Sequence, residues 1–269
     1  MSPDSVQSKQ CPWWMIPHLM GLDIAVLTLC WAHAFASILG INMYREEPLI
    51  LLMGSAWLFV MMARLSASIK QSKQRGVNFY TEHLALFLVL CLAVGMALLW
   101  ILFFALSAVV YHYLAPFALY LIVSRLPFFS ETVRLLMRSI CFAFCCAIPS
   151  FYFSVTLEPI EMLSCTPIWY LGVLMFLFFM EHREHQEQAV KVSPHLVPVG
   201  QVLLLLICMY SAWSSSSYEQ SVSITIILAN ACLAVIVRLR RHLSAELMTA
   251  CRIPIMMVAP ILSVLLFGR

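Results

Sequence analysis

The run LALFLVLCLAVGMALLWILFFAL, at residues 84–106, decides the fold of this chain. It contains no Asp, Glu, Lys or Arg, and it is longer than the roughly 20 residues that an α-helix needs to cross the hydrocarbon core of a bilayer. An uncharged apolar run of this length is typical of a transmembrane helix. The run therefore predicts an integral membrane protein.

The composition of the whole chain agrees with this prediction. Of its 269 residues, 62% are hydrophobic and 11% are charged, and the mean hydropathy is +0.91. A soluble domain has about 25% charged residues, so this chain could not cover a core with a polar surface. Nine helices of about 20 residues would leave about 90 residues for connections, which excludes a separate soluble domain.

Nine apolar stretches follow one another along the chain. We predict an all-α bundle of nine transmembrane helices, although the tight turn between the third and fourth stretches leaves eight spans as an alternative. Residues 1–16 form a cytoplasmic N-terminal segment, and residues 17–269 form one polytopic domain. The predicted spans are 17–41, 48–68, 82–106, 108–126, 132–155, 160–180, 197–214, 220–238 and 252–268.

The basic residues orient these spans. With nine spans, fourteen of the sixteen Lys and Arg residues fall on one side of the membrane, and Arg45 and Arg269 fall on the other. By the positive-inside rule, the N-terminus lies in the cytoplasm. We therefore expect a multi-pass protein of the bacterial inner membrane or an equivalent membrane. The fourteen are Lys9, Arg64, Lys70, Lys73, Arg75, Arg125, Arg134, Arg138, Arg183, Lys191, Arg238, Arg240, Arg241 and Arg252.

Glycine and cysteine usage exclude several kinds of site. The eight glycines are at least fourteen residues apart, which rules out a glycine-rich phosphate-binding loop. The ten cysteines include no CxxC pair and lie mostly in apolar runs, so neither a disulfide framework nor a zinc site is indicated. The eight histidines are scattered, which disfavours a membrane di-iron centre.

Two polar connections on the predicted cytoplasmic side stand out. The first, at 63–75, reads ARLSASIKQSKQR, and the second, at 181–188, reads EHREHQEQ. They begin about 118 residues apart, and each follows an even-numbered span. This layout predicts two four-helix halves, at about 17–126 and 132–238, followed by a ninth helix at 252–268.

The layout resembles the UbiA superfamily of intramembrane prenyltransferases. Members have nine helices, a cytoplasmic N-terminus and polar motifs after helices two and six. Ala63-Arg64-Leu65 with its basic loop is similar to the first motif, residues 181–188 occupy the place of the second, and residues 120–125 are similar to a Tyr-then-basic element. The resemblance implies transfer of a prenyl group from a prenyl diphosphate to an aromatic or lipid acceptor, with Mg²⁺ as cofactor. The implied diphosphate-binding residues are Arg64, Lys70, Lys73 and Arg125.

This chain departs from the family at the metal site. The family holds Mg²⁺ through aspartates of both motifs, whereas the two aspartates here, Asp4 and Asp23, lie in neither. The second motif keeps carboxylates as glutamates. On a helix, Glu181, Glu184 and His185 share one face, so they are the candidate metal ligands, with His favouring a softer ion than Mg²⁺. The alternative interpretation of this run is a solvated helix end.

Asp23 lies inside the first span, where a carboxylate is costly unless it is paired or faces a cavity. Because Asp23 and Arg64 both lie near the predicted cytoplasmic end, two roles are open for Asp23. It pairs with Arg64, or it lines the mouth of a cavity. The basic residues themselves are also explained by topology alone, since anionic lipids attract them.

Two functions therefore remain open. The first is a divergent UbiA-like prenyltransferase, and the second is a non-catalytic isoprenoid- or lipid-binding subunit, assembly factor or carrier. The spans are nearly free of mid-membrane ionisable groups, which disfavours an ion-coupled transporter. The expected partners are an isoprenoid or other long-chain lipid and the membrane lipids, with no nucleic acid.

Overall fold

The computed structural model contains only helices and turns in the residues that it describes. The helices are α1 (Ile16–Leu19), α2 (Leu22–Leu39), α3 (Glu47–Gln71), α4 (Leu84–Trp100, continued by a π turn at Ile101–Ala105), α5 (Glu131–Phe153), α6 (Thr166–His185), α7 (Leu196–Ser214), α8 (Ser217–Leu239) and α9 (Ala245–Phe267). The described residues are 16–40, 47–71, 80, 83–105, 122, 130–153, 166–185, 195–214, 217–240 and 242–267.

The helices are long and apolar enough to make this an all-α membrane protein. Five stretches meet both criteria for crossing a bilayer, and Leu49–Met62 and Ile168–Glu181 are shorter apolar helices. Helices suit this environment because each satisfies its own backbone hydrogen bonds, which lipid cannot do. The five stretches are Leu22–Leu39, Leu84–Phe104, Leu196–Ser214, Tyr218–Leu239 and Ala250–Phe267.

The nine predicted spans are matched in part. Helices α2 to α9 each overlap one predicted span. The predicted fourth span, at 108–126, lies outside the described residues except for Ile122, so both the ninefold count and the division into two halves stay predictions. The largest difference is at α9, which begins at Ala245, seven residues before the predicted start at 252.

Six helices surround the main core. They form a closed ring in which α2 packs against α5, α5 against α6, α6 against α7, α7 against α8, α8 against α9, and α9 against α2. Helix α8 also packs against α6. Large side chains from several helices meet there, including Trp31, Phe35, Met175, Ile226 and Met256. Helix α3 lies against α2, and α4 lies against α3, where Trp57, Met61 and Phe87 form a second cluster.

Glycine 21 sets the direction of the chain between α1 and α2. Its φ of 69° lies in the left-handed region, which other residues enter only with strain. A Cβ at this position would also lie 3.1 Å from Cγ1 of Val60 on α3. The turn therefore folds α1 back over the end of the α2–α3 pair, which brings His18 into contact with α3.

Candidate functional site

Two polar clusters lie at helix ends that the positive-inside rule assigns to the cytoplasm. The first is the α1 junction, formed by His18, Asp23, Trp57, Arg64 and Tyr80. The second is the arginine–glutamate cluster, formed by Glu181, Arg240 and Arg252. Each contains one residue of the predicted site, Arg64 in the first and Glu181 in the second.

The α1 junction ties the N-terminal turn to α3. Arg64 Nη1 donates a hydrogen bond to the His18 carbonyl oxygen and lies 3.4 Å from the Tyr80 hydroxyl oxygen. Trp57 Nε1 donates to the Met20 carbonyl oxygen at 2.7 Å. Both bonds go to carbonyl groups at the end of α1, where a helix lacks the N–H donors of a following turn. The His18 carbonyl oxygen also accepts from the Gly21 backbone N–H at 3.0 Å. Arg64 therefore binds the backbone at the end of α1, in addition to any role in binding phosphate.

Asp23 pairs with His18. Its Oδ2 atom lies 2.6 Å from His18 Nδ1, and its Oδ1 atom accepts a hydrogen bond of 2.9 Å from the Ile24 backbone N–H. Of the two roles that the sequence left open for Asp23, pairing is therefore found, but with His18 in place of Arg64. The carboxylate also lies in the first turn of α2, where the helix dipole favours negative charge.

Replacing Arg64 with methionine should lower the free energy of unfolding by about 1.5 kcal/mol, because the part-buried His18 carbonyl loses its charged donor and keeps only the Gly21 N–H. Thermal unfolding in detergent micelles would measure this loss. The matched control is Trp57→Phe, which removes one neutral donor from the same turn and should cost less, about 1 kcal/mol. Equal stability of Arg64→Met and the wild type would contradict the role assigned to Arg64.

The arginine–glutamate cluster joins three helices. Glu181 Oε1, in the last turns of α6, lies 3.5 Å from Arg252 Nη2 on α9 and 3.8 Å from Arg240 Nη1 at the end of α8. Glu181 and Arg252 are 0% and 1% exposed, whereas the Arg240 side chain is 37% exposed. Among the described residues, two guanidinium groups share one carboxylate here, and Arg240 is the member of the cluster that solvent reaches.

Glu181 does not fit a Mg²⁺ site in this arrangement. A carboxylate that faces two guanidinium groups is already neutralised, so it offers little negative charge to a metal cation. Among the described residues, no group of three or more His, Cys, Asp or Glu side chains is placed to hold a metal ion. The side chains of Glu184 and His185 lie outside the described residues, so the predicted three-residue metal site stays a prediction.

The side chains of the other predicted diphosphate-binding residues lie outside the described part of the chain. Lys70 lies in the last turn of α3, but its side chain is outside the described part of the chain, and so are Lys73 and Arg125. From the sequence, Arg240 and Arg252 are two of the fourteen basic residues on the predicted cytoplasmic side, and neither is among the predicted diphosphate-binding residues. A sequence signal for Arg252 existed, because an arginine at the start of an apolar run is costly without a partner.

Comparisons of the chain with protein-family models, with curated proteins and with solved structures found no match.

Proposed function

We propose that this chain is a divergent UbiA-like membrane protein that binds the anionic headgroup of an isoprenoid or other long-chain lipid without catalysing prenyl transfer. The observation that carries the proposal is the arginine–glutamate cluster, in which two guanidinium groups meet one carboxylate at the junction of α6, α8 and α9. Its carboxylate, Glu181, begins the stretch to which the family resemblance assigns a metal-binding motif.

The chemistry of the cluster favours an anion. Arginine pairs bidentately with phosphate oxygens and needs no metal to do so. Arg252 is fixed by its buried contact with Glu181, while Arg240 is more distant from Glu181 and partly exposed. Arg240 is therefore the guanidinium group of the cluster that a phosphate can approach from solvent. A lipid phosphate lies at the same depth as helix ends of this kind, at the boundary of the hydrocarbon core.

Prenyl transfer remains the competing function. It would need carboxylates free to bind Mg²⁺, and Glu181 is engaged by two arginines. Lys70, Lys73, Arg125, Glu184 and His185 would have to supply the diphosphate site and the metal ligands. The experiment below separates the two functions by their dependence on metal.

The test measures binding of farnesyl diphosphate to the purified chain in lipid nanodiscs, with Mg²⁺ and with EDTA. We expect the dissociation constant to be the same in both buffers. Arg240→Gln should weaken binding about tenfold, the loss expected for one charge-assisted hydrogen bond. Arg238→Gln, an exposed arginine two residues earlier, is the matched control and should change the constant less than about twofold.

Four results would contradict the proposal. Binding abolished by EDTA would favour the metal-dependent enzyme, as would release of diphosphate when an acceptor is added. Equal weakening by Arg238→Gln and Arg240→Gln would mean that general surface charge attracts the probe. An absence of binding in both buffers would exclude an isoprenoid diphosphate as the ligand.

A further inference from the structure

The exposed aromatic side chains form a belt at one end of the molecule. The six most exposed aromatic side chains in the described part of the chain all lie within five residues of the predicted outer end of a helix. Tyr210 and Trp213 on α7 are 74% and 92% exposed, and Trp169 on α6 is also exposed. The other three, on α4, are Trp100, Phe103 and Phe104.

Contacts between helices support a common level for this belt. Gly200, near the start of α7, lies against Leu177, near the end of α6, so these two helices run antiparallel. Trp169, at the start of α6, and Trp213, at the end of α7, are therefore at the same end. The positive-inside rule assigns the end of α4 to that side too. Trp and Tyr rings favour the headgroup layer, so the belt marks the outer boundary of the hydrocarbon core.

Exposed imidazole groups mark the opposite boundary on the same helices. His195 directly precedes α7, His83 directly precedes α4, and both residues are exposed. An ionisable group facing lipid is costly within hydrocarbon, so such residues lie at the headgroup level. Helices α4 and α7 therefore each carry a marker for both surfaces of the membrane.

The distance between the two boundaries is short. Trp213 is 18 residues after His195, and Trp100 is 17 residues after His83. At 1.5 Å per residue, these separations are about 27 Å and about 26 Å along the helix axis. Transmembrane helices tilt by about 20° on average, which reduces the thickness that they span to about 25 Å. The hydrocarbon core of a typical bilayer is about 30 Å thick.

Other helices agree with this short distance. The apolar stretches Leu49–Met62 on α3 and Ile168–Glu181 on α6 have 14 residues each, about 21 Å in length. Glu219 and Arg238, at the two ends of α8, are 19 residues apart, about 29 Å before any tilt. A core of average thickness would therefore bring polar groups at several helix ends into hydrocarbon.

We propose that this chain is matched to a bilayer whose hydrocarbon core is about 25 Å thick, with the aromatic belt anchoring its outer boundary. The partner of the exposed apolar surface is then a membrane of phospholipids with short acyl chains. The proposal does not depend on the function proposed for the arginine–glutamate cluster. That function concerns the headgroup of one bound lipid, whereas the match concerns the acyl-chain length of the surrounding bilayer.

The first test is thermal unfolding of the wild-type chain in two kinds of nanodisc. One contains dipalmitoleoylphosphatidylcholine and the other dieicosenoylphosphatidylcholine, whose monounsaturated acyl chains are longer. We expect the Tm to be about 5 °C higher in the thinner bilayer, because hydrophobic mismatch destabilises the chain in the thicker one. An equal Tm in the two bilayers, or a higher Tm in the thicker one, would overturn the proposal.

The second test measures the depth of Trp213 by fluorescence quenching with brominated phosphatidylcholines in the thinner bilayer. Trp213→Phe removes this fluorophore, so the wild-type emission minus that of the variant isolates it. We expect bromine near the carbonyl end of the acyl chain to quench this emission several-fold more than bromine near the methyl end. Stronger quenching from the methyl end would overturn the proposal.

A matched variant calibrates the depth measurement. Leu206 is 58% exposed and lies seven residues before Trp213, so it occupies the same face of α7 about 10 Å deeper in the membrane. In Trp213→Phe/Leu206→Trp, we expect the stronger quenching to come from bromine near the methyl end. The same quenching pattern for the wild type and for this double variant would contradict a boundary at Trp213.

Discussion

Replacing Glu181 with leucine should lower the free energy of unfolding by about 3–5 kcal/mol, the cost of leaving a buried charge without its counter-ion. The substitution leaves Arg240 and Arg252 facing each other without the carboxylate that they share. Arg252 is 1% exposed, so solvent cannot screen the repulsion. This is the largest single-site effect that we expect in the described residues.

The charges of the cluster predict that removing Glu181 and removing Arg252 lower the free energy of unfolding by different amounts. Arg252→Leu leaves Glu181 with its contact to Arg240 and should cost less than Glu181→Leu. The double variant Glu181→Leu/Arg252→Leu removes both buried charges and should be more stable than Glu181→Leu alone. Denaturant unfolding of the four proteins in one detergent would give the coupling energy as a double-mutant cycle. Additive effects would mean that the two residues do not stabilise each other.

Replacing Gly172 with leucine should cost about 3 kcal/mol through overpacking between α5 and α6. A Cβ at this position would lie 3.1 Å from Ile140 Cγ1 and 3.2 Å from Ile140 Cα. The second of these atoms belongs to the backbone of α5, which cannot move without moving the helix. Gly172 therefore sets the distance between two helices of the core.

Gly95 provides the matched control for this substitution. A Cβ at Gly95 would meet its nearest neighbour, Leu58 Cδ2, at 3.8 Å, an ordinary contact. Gly95→Leu should thus change stability by less than about 1 kcal/mol, with the gain in helix propensity offsetting any crowding. Thermal unfolding of both variants in the same detergent makes the comparison. Equal losses at the two positions would refute the close approach of α5 and α6.

The sequence predicted an all-α membrane protein because hydropathy reports apolar helices directly, and five of the predicted spans coincide with helices long and apolar enough to cross a bilayer. It placed their ends less well, since a helix continues into the polar boundary after its apolar residues stop. Helix α6 runs to His185, beyond the predicted end at 180, so Glu181 is part of α6 and contacts Arg240 and Arg252. The sequence treated Glu181 as the start of a polar connection open to a metal ion.

The partners of the polar residues could not be predicted. Glu181 and Arg252 are 71 residues apart in the chain, and Asn230, whose side chain donates a hydrogen bond to the Gln201 carbonyl oxygen, is 29 residues from Gln201. Such contacts depend on which helices are neighbours in space, and hydropathy carries no information about that. The sequence did indicate which residues need a partner. An acidic or basic group within an apolar run implies a partner, even when the sequence does not identify it.

The α1 junction also has a consequence for the order in which the protein is made. The hydrogen bond from Arg64 to the His18 carbonyl joins residues 46 positions apart. It cannot form until the whole of α2 and most of α3 have left the ribosome. The end of α1 is thus bound to α3 only after α2 and the α3 residues up to Arg64 have been synthesised, so this contact cannot help α2 to fold first.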